Sequence, residues 1–86
     1  MNIIISNSSN QPIYEQIADQ FKSLIINGTL KPGEPLPSMR TLAKDLHISV
    51  ITTKRTYEIL EQDGFIESYV GKGSYVKCLN KELLKE

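Results

Sequence analysis

The sequence predicts an α+β domain, mainly α, in which three helices are closed by a C-terminal β-hairpin. Two observations carry this. Two short amphipathic stretches, opening on Ser38 and on Ser49, follow one another with only a few turn residues between them, the signature of a helix-turn-helix. After the second come Gly64 and two runs of aromatic and β-branched residues on either side of Gly71-Lys72-Gly73, which read as two strands and a hairpin tip. Joined in that order they make a three-helix winged helix-turn-helix, the hairpin being the wing, followed by the start of a further helix.

The totals agree with a single small domain. The chain has 86 residues, 40% of them hydrophobic and 23% charged, an ordinary globular composition. No run approaches the ~20 apolar residues of a spanning helix. Met1-Asn2-Ile3-Ile4-Ile5 has no basic stretch ahead of its apolar run, unlike a signal peptide. One cysteine, Cys78, leaves no internal disulfide to form, which suits a reducing, cytoplasmic setting. Ten basic and ten acidic residues balance to zero, which argues against a non-specific nucleic-acid coat. The balance is local, however: between residues 38 and 55 Arg40, Lys44, Lys54 and Arg55 face Asp45 alone, and local charge is what meets phosphate.

Residues 1–10 form an N-terminal segment, apolar and extended at first, then a polar loop. Helix one starts near Pro12, suited to a first turn where its missing N–H would be unpaired anyway. Ile13, Ile17, Phe21, Leu24 and Ile25 make its apolar stripe, and Asn27-Gly28 ends it. Residues 30–37 hold three prolines and a glycine and read as an irregular connector, extended around Pro35 to Pro37. Ser38 caps helix two, whose buried face is Met39, Leu42, Ala43 and Leu46. His47 sits at the joint. With no second histidine in the chain, it reads as a turn residue tolerating positive φ rather than as a metal or proton site.

Helix three spans residues 49–63. Ser49 is its cap, and Thr53, Thr56, Tyr57 and Leu60 fall at i, i+3, i+4 and i+7, one stripe facing the core. The other side shows Val50, Ile51, Thr52, Lys54 and Arg55. Basic, small polar and methyl-bearing residues at a helix start suit base edges in a major groove. Glu58 and Glu61 follow on the exposed side, so phosphate repulsion should lift the helix off DNA after Arg55. Residues 65–69 and 74–78 are the strands, and Lys72 between two glycines allows close approach to a sugar-phosphate backbone. Residues 79–86 read as the start of a helix, with Asn80 as cap and Leu79 and Leu84 as a hydrophobic staple.

The motifs Pro12-Ile13-Tyr14-Glu15-Gln16-Ile17, Gly28-Thr29-Leu30-Lys31-Pro32-Gly33, Leu36-Pro37-Ser38-Met39-Arg40-Thr41-Leu42-Ala43, Gly64-Phe65-Ile66 and Gly71-Lys72-Gly73-Ser74-Tyr75-Val76 resemble the DNA-binding domain of GntR-family bacterial transcription regulators. The resemblance covers roughly residues 11 to 77. The short tail is most similar to the YtrA-like subfamily, whose C-terminal part is a small helical dimerisation region. It implies a DNA-binding domain over residues 11–78 and a dimerisation helix beginning at 79–86. It also implies that Arg40 reaches the major groove or its backbone, that Ser49 is the cap, that Thr52 and Lys54 are the recognition-helix contacts, and that Gly71-Lys72-Gly73 lies at the minor groove. Two positions depart from the family: Val50 where many members carry Arg, and His47 where many carry Gly.

The expected site is therefore Ser38, Arg40, Lys44, Ser49, Val50, Ile51, Thr52, Lys54, Arg55, Gly71, Lys72 and Gly73. Lys44, Lys54, Lys72 and the N-termini of helices two and three would hold phosphates. Arg40, Arg55, Thr52, Val50 and Ile51 would read bases, Arg at guanine and the aliphatics at thymine methyls, giving a half-site part G·C and part A·T. Major-groove reading falls to residues 49–63 and minor-groove or backbone contact to the wing at 70–74. The partner is double-stranded operator DNA of two-fold symmetry bound by a homodimer, and family analogy favours a repressor over an activator. The competing function is a winged helix used as a protein-interaction module, which the zero net charge and exposed Val50-Ile51 would suit. Nothing in the sequence points to an enzyme, a cofactor or a metal site: there is no Ser/His/Asp set and no phosphate-binding glycine loop tied to a strand and helix.

Overall fold

The computed structural model describes residues 3–77. Helix α1 spans Ile13–Ile26, α2 Met39–Leu46 and α3 Val50–Gln62; strands β1 (Ile66–Tyr69) and β2 (Gly73–Val76) follow. Three helices and a two-stranded antiparallel sheet in this order are a winged helix-turn-helix. Cys78 and the expected C-terminal helix at 79–86 lie outside the described residues.

The helical stripes become the core. Ile17, Phe21 and Ile25 from α1 meet Leu42 from α2 and Tyr57 and Leu60 from α3, with Ile66 and Val76 closing the cluster from the sheet. Phe21 and Tyr57 pack edge to face with ring centroids 6.0 Å apart. Each such apolar side chain contributes about 1.5–3 kcal/mol on burial. The buried threonines of α3 do a second job, since a hydroxyl out of water needs a partner. Thr53 donates to the Met39 carbonyl at 3.0 Å and Thr56 to the Tyr14 carbonyl at 3.2 Å. Each fastens α3 to the first turn of a neighbouring helix.

The turn chemistry follows the residues. His47 ends α2 at φ 57°, ψ 47°, the left-handed state expected of it. Gly71 takes φ 78° while Lys72 N–H donates to the Tyr69 carbonyl at 3.0 Å, so a residue free to adopt positive φ sits third in a four-residue turn, where a type II turn requires it. In the sheet Ile66 pairs with Val76, both buried against the core, and the exposed Ser68 pairs with the buried Ser74, their hydroxyls 2.9 Å apart. Glu67 and Tyr75 pair on the outer face, where Tyr69 and Tyr75 lean together.

Three readings change. Pro12 is the residue before α1 rather than its first turn, at φ −56°, ψ 148°. Strand β1 starts at Ile66, one residue later than expected, and β2 covers Gly73–Val76. The largest change is the connector. It runs beside β2 as a third, strand-like piece: Pro35 bridges Tyr75, Gly33 N–H donates to the Val76 carbonyl at 2.8 Å, Val76 N–H to the Glu34 carbonyl at 2.9 Å and Leu36 N–H to the Ser74 carbonyl at 2.9 Å. Prolines exclude a central strand but not an edge, and Pro35 and Pro37 leave the donors of Gly33 and Leu36 free to pair. Residues 3–10 have no regular structure, yet Gln20 and Gln16 clamp their backbone from α1: the Gln20 amide bonds both N–H and carbonyl of Ile4, and that of Gln16 does the same for Ser6.

Candidate nucleic-acid interface

Two helix starts are built alike. Ser38 Oγ accepts from Thr41 N–H at 3.1 Å and donates to Thr41 Oγ1. Ser49 Oγ accepts from Thr52 N–H at 3.1 Å and shares a 2.8 Å hydrogen bond with Thr52 Oγ1. Both serines are extended, at ψ 156° and 152°, as a cap requires. Each cap satisfies one of the free donors of its first turn, and the remaining N–H groups carry the positive end of the helix dipole. The Thr52 hydroxyl is thus tied into its own cap.

A cleft joins these starts to the wing. Ser38, Arg40, Val50, Gly73 and Ser74 line it together. Its floor is set by Tyr57, whose hydroxyl donates to the Pro37 carbonyl at 2.7 Å. Burial pushes the Tyr57 phenol far above the ordinary tyrosine range, so it is a neutral donor. Ile51 stands out from the helix start at 79% exposure, a large apolar side chain held in solvent at the place where the sequence puts an apolar contact.

The cations do not all converge. Arg40, Lys44, Lys54, Arg55 and Lys72 are exposed. The one ion pair among the described residues joins Lys22 to Asp63, so none of the five is neutralised by a described carboxylate. Only Arg40 lines the cleft. Lys72 lines a separate hollow on the outer face of the wing with Glu67, Tyr69 and Tyr75. There the Tyr69 hydroxyl donates to Glu67, and the bond and charge of that carboxylate raise the Tyr69 pKa. Arg55 leans toward α1, its guanidinium 4.7 Å from the centre of the Tyr14 ring. Two residues beside the site escaped sequence reasoning. Thr41 was legible in principle, because Ser38-Met39-Arg40-Thr41 repeats the Ser49–Thr52 spacing. Tyr14 had no such signal, since only the fold brings it to Arg55.

Comparison with known proteins follows the same lines. Residues 13–76 match the family model described as bacterial regulatory proteins, gntR family. The HTH-type transcriptional repressor YtrA of Bacillus subtilis is 42% identical over 84 residues, 98% of this chain and 65% of its own length. The chain therefore spans just under two thirds of that relative. Among solved structures, YtrA from Sulfolobus acidocaldarius, a GntR-family transcription factor, superposes with a TM-score of 0.85 at 40% identity, over 96% of this chain and 88% of that one. The AraR DNA-binding domain, solved in complex with operator ORX1, shares the fold at 22% identity and a TM-score of 0.77, over 88% of this chain and 95% of that one.

Proposed function

The chain belongs to the gntR family of bacterial regulatory proteins, sequence-specific DNA-binding transcription regulators with a winged helix-turn-helix, and from that premise we propose how this domain reads its operator. The observation that supports the reading is the cleft in which Ser38, Arg40, Val50 and Gly73 meet. It sets two capped, electropositive helix starts and the base of the wing on one surface. The start of α3 enters the major groove. Arg40 bonds a guanine edge or the adjacent backbone. Val50 and Ile51 meet thymine methyls, which only the major groove displays. Thr52 presents its methyl there, because its hydroxyl is shared with Ser49.

Lys44, Lys54 and the α2 and α3 N-termini neutralise phosphates along the groove walls. Gly71, Lys72 and Gly73 form the wing contact at the minor groove or its backbone. The residues of the domain are 11–78, with 1–10 as an N-terminal segment and a dimerisation region from residue 79. The protein works in the bacterial cytoplasm as a homodimer on a two-fold operator, each domain reading one half-site, the half-sites about one helical turn apart. Likeness to the YtrA repressor supports repression as the outcome.

A gel-shift titration tests this, using duplex DNA from upstream of the protein's own coding region and a scrambled duplex of equal composition. Tight, salt-sensitive binding to the first and weak binding to the second is the expected result. Equal binding to both at every salt concentration would refute specific operator recognition.

A further inference from the structure

We infer that Tyr14 is a positioning residue for Arg55, and that the pair directs the guanidinium to a DNA phosphate rather than to a base edge. This rests on the DNA-binding reading above and changes the role of one of its cations. Arg55 is exposed on α3, and its guanidinium lies over the Tyr14 ring, 4.7 Å from the centroid. The Tyr14 backbone is tied to α3, because its carbonyl, at 3.2 Å, shares the buried Thr56 hydroxyl proton with the Thr52 carbonyl at 3.0 Å. The residue next to Arg55 on α3 thus holds the backbone of the residue on which Arg55 stacks.

Stacking has a chemical consequence. A guanidinium held over an aromatic face by cation–π attraction is restrained there while its remaining N–H donors stay available, and their fork matches a phosphate. It is also held away from the axis of α3, toward α1. Helix geometry agrees. At about 1.5 Å per residue, Arg55 stands about 7.5 Å behind Val50 along the axis. With the helix start on the bases and the guanidinium drawn toward α1, Arg55 lies on the side of the groove wall, where the phosphates run. Glu58 and Glu61, exposed about one and two turns further on, mark the end of the contact.

The experiment uses the full chain and a duplex recovered by the wild-type protein from a random-sequence pool, with a scrambled duplex beside it. Operator affinity is measured across a salt series for Tyr14→Phe, Tyr14→Leu, Arg55→Lys, Arg55→Ala and the Tyr14→Leu/Arg55→Ala double variant. Tyr14→Phe keeps the ring and is expected to bind like wild type. Tyr14→Leu is expected to lose about two- to fivefold, the size of an exposed cation–π contact, and equally on both duplexes. Arg55→Lys keeps the charge without the planar stack and should match it. Arg55→Ala should also lower the slope of log affinity against log salt by about 0.9, and the double variant should bind no more weakly than Arg55→Ala alone.

Losses that add in the double variant would overturn the inference, as would a Tyr14→Phe loss as large as that of Tyr14→Leu. So would a Tyr14→Leu or Arg55→Lys loss confined to the selected duplex with one base position relaxed, which would return Arg55 to the bases. Should Tyr14→Leu fail to fold, Tyr14→Met takes its place as the variant that removes the ring, with the same expected loss, and the two Arg55 variants decide phosphate against base without either. A wild-type protein that enriches no sequence from the pool would instead remove the DNA-binding reading itself, and this inference with it.

Discussion

The two halves of the proposed interface are held in place by different means. The α2–α3 pair is fixed by side chains: Thr53 on the Met39 carbonyl, Thr56 on the Tyr14 carbonyl and Tyr57 on the Pro37 carbonyl, over a core of Phe21 and Leu60. Beyond its base, where Ile66 and Val76 join the core, the wing is fixed by its backbone, through the β1–β2 ladder and the connector's bonds to Ser74 and Val76. At its tip Val70 is fully exposed and carries no packing at all. A side-chain framework specifies position through residue identity, so substitutions on the inner face of α3 should cost folding. A backbone framework tolerates changes of side chain, so substitutions at the wing tip should cost binding alone.

The hardest blow to the first framework is Leu60→Ala. Leu60 is fully buried where α3 meets α1, and a truncation of this kind costs about 2–5 kcal/mol, depending on how far the site can collapse. Urea unfolding should show that loss as a lower midpoint with little change of slope. Per folded molecule, operator affinity should stay close to wild type. A variant of unchanged stability and lost affinity would reverse the division just drawn.

Arg40→Ala removes a side chain from the cleft without touching the core, since Arg40 is exposed. It should leave unfolding unchanged and cost about 1–3 kcal/mol in operator affinity, with one base position relaxed. Selection from a random pool before and after the substitution would show which. If the consensus is unchanged and affinity falls on all sequences alike, Arg40 holds backbone rather than base.

Much of this is legible in the sequence. The inner face of α3, the two serine caps and the left-handed His47 follow from local rules, because spacing and cap chemistry act within a turn or two. The pairing of Gly33–Leu36 with β2 did not follow. Three prolines within residues 30–37 argue against a strand, and the pairing uses only the backbone groups that the prolines leave free. The Arg55–Tyr14 contact was illegible for a different reason. Exposed position on α3 made Arg55 a base reader, while its stacking partner is supplied by α1 through the tertiary fold.

Tyr57→Phe probes a hydrogen bond that joins the two frameworks, for Pro37 lies in the segment that carries the connector to α2. Deleting the hydroxyl leaves the Pro37 carbonyl without that donor and should cost about 1–2 kcal/mol. There is a pH signature as well. The Tyr57 pKa is raised in the folded state, so its contribution is fully present below the unfolded value of about 10 and is lost as pH rises above it, because the unfolded chain ionises first. Wild-type stability should therefore fall more steeply than that of Tyr57→Phe between about pH 9 and about pH 11. Equal alkaline slopes would mean that the phenol is open to solvent.

Lys72→Ala should have the smallest effect and give the sharpest test of the wing. Its side chain pairs with no described carboxylate, while its backbone N–H and carbonyl shape the tip through Tyr69 and the Tyr75 hydroxyl. Alanine keeps both backbone bonds, so unfolding should not change. If Lys72 meets a phosphate, affinity falls on selected and scrambled duplexes alike, and the slope of log affinity against log salt drops by about 0.9. If it instead reads the minor groove, the loss concentrates at A·T-rich positions of the half-site, since that groove separates A·T from G·C and little else. A loss of stability in place of either would mean that Lys72, and not the backbone, holds the wing, and the contrast between the two frameworks would fail at its simplest point.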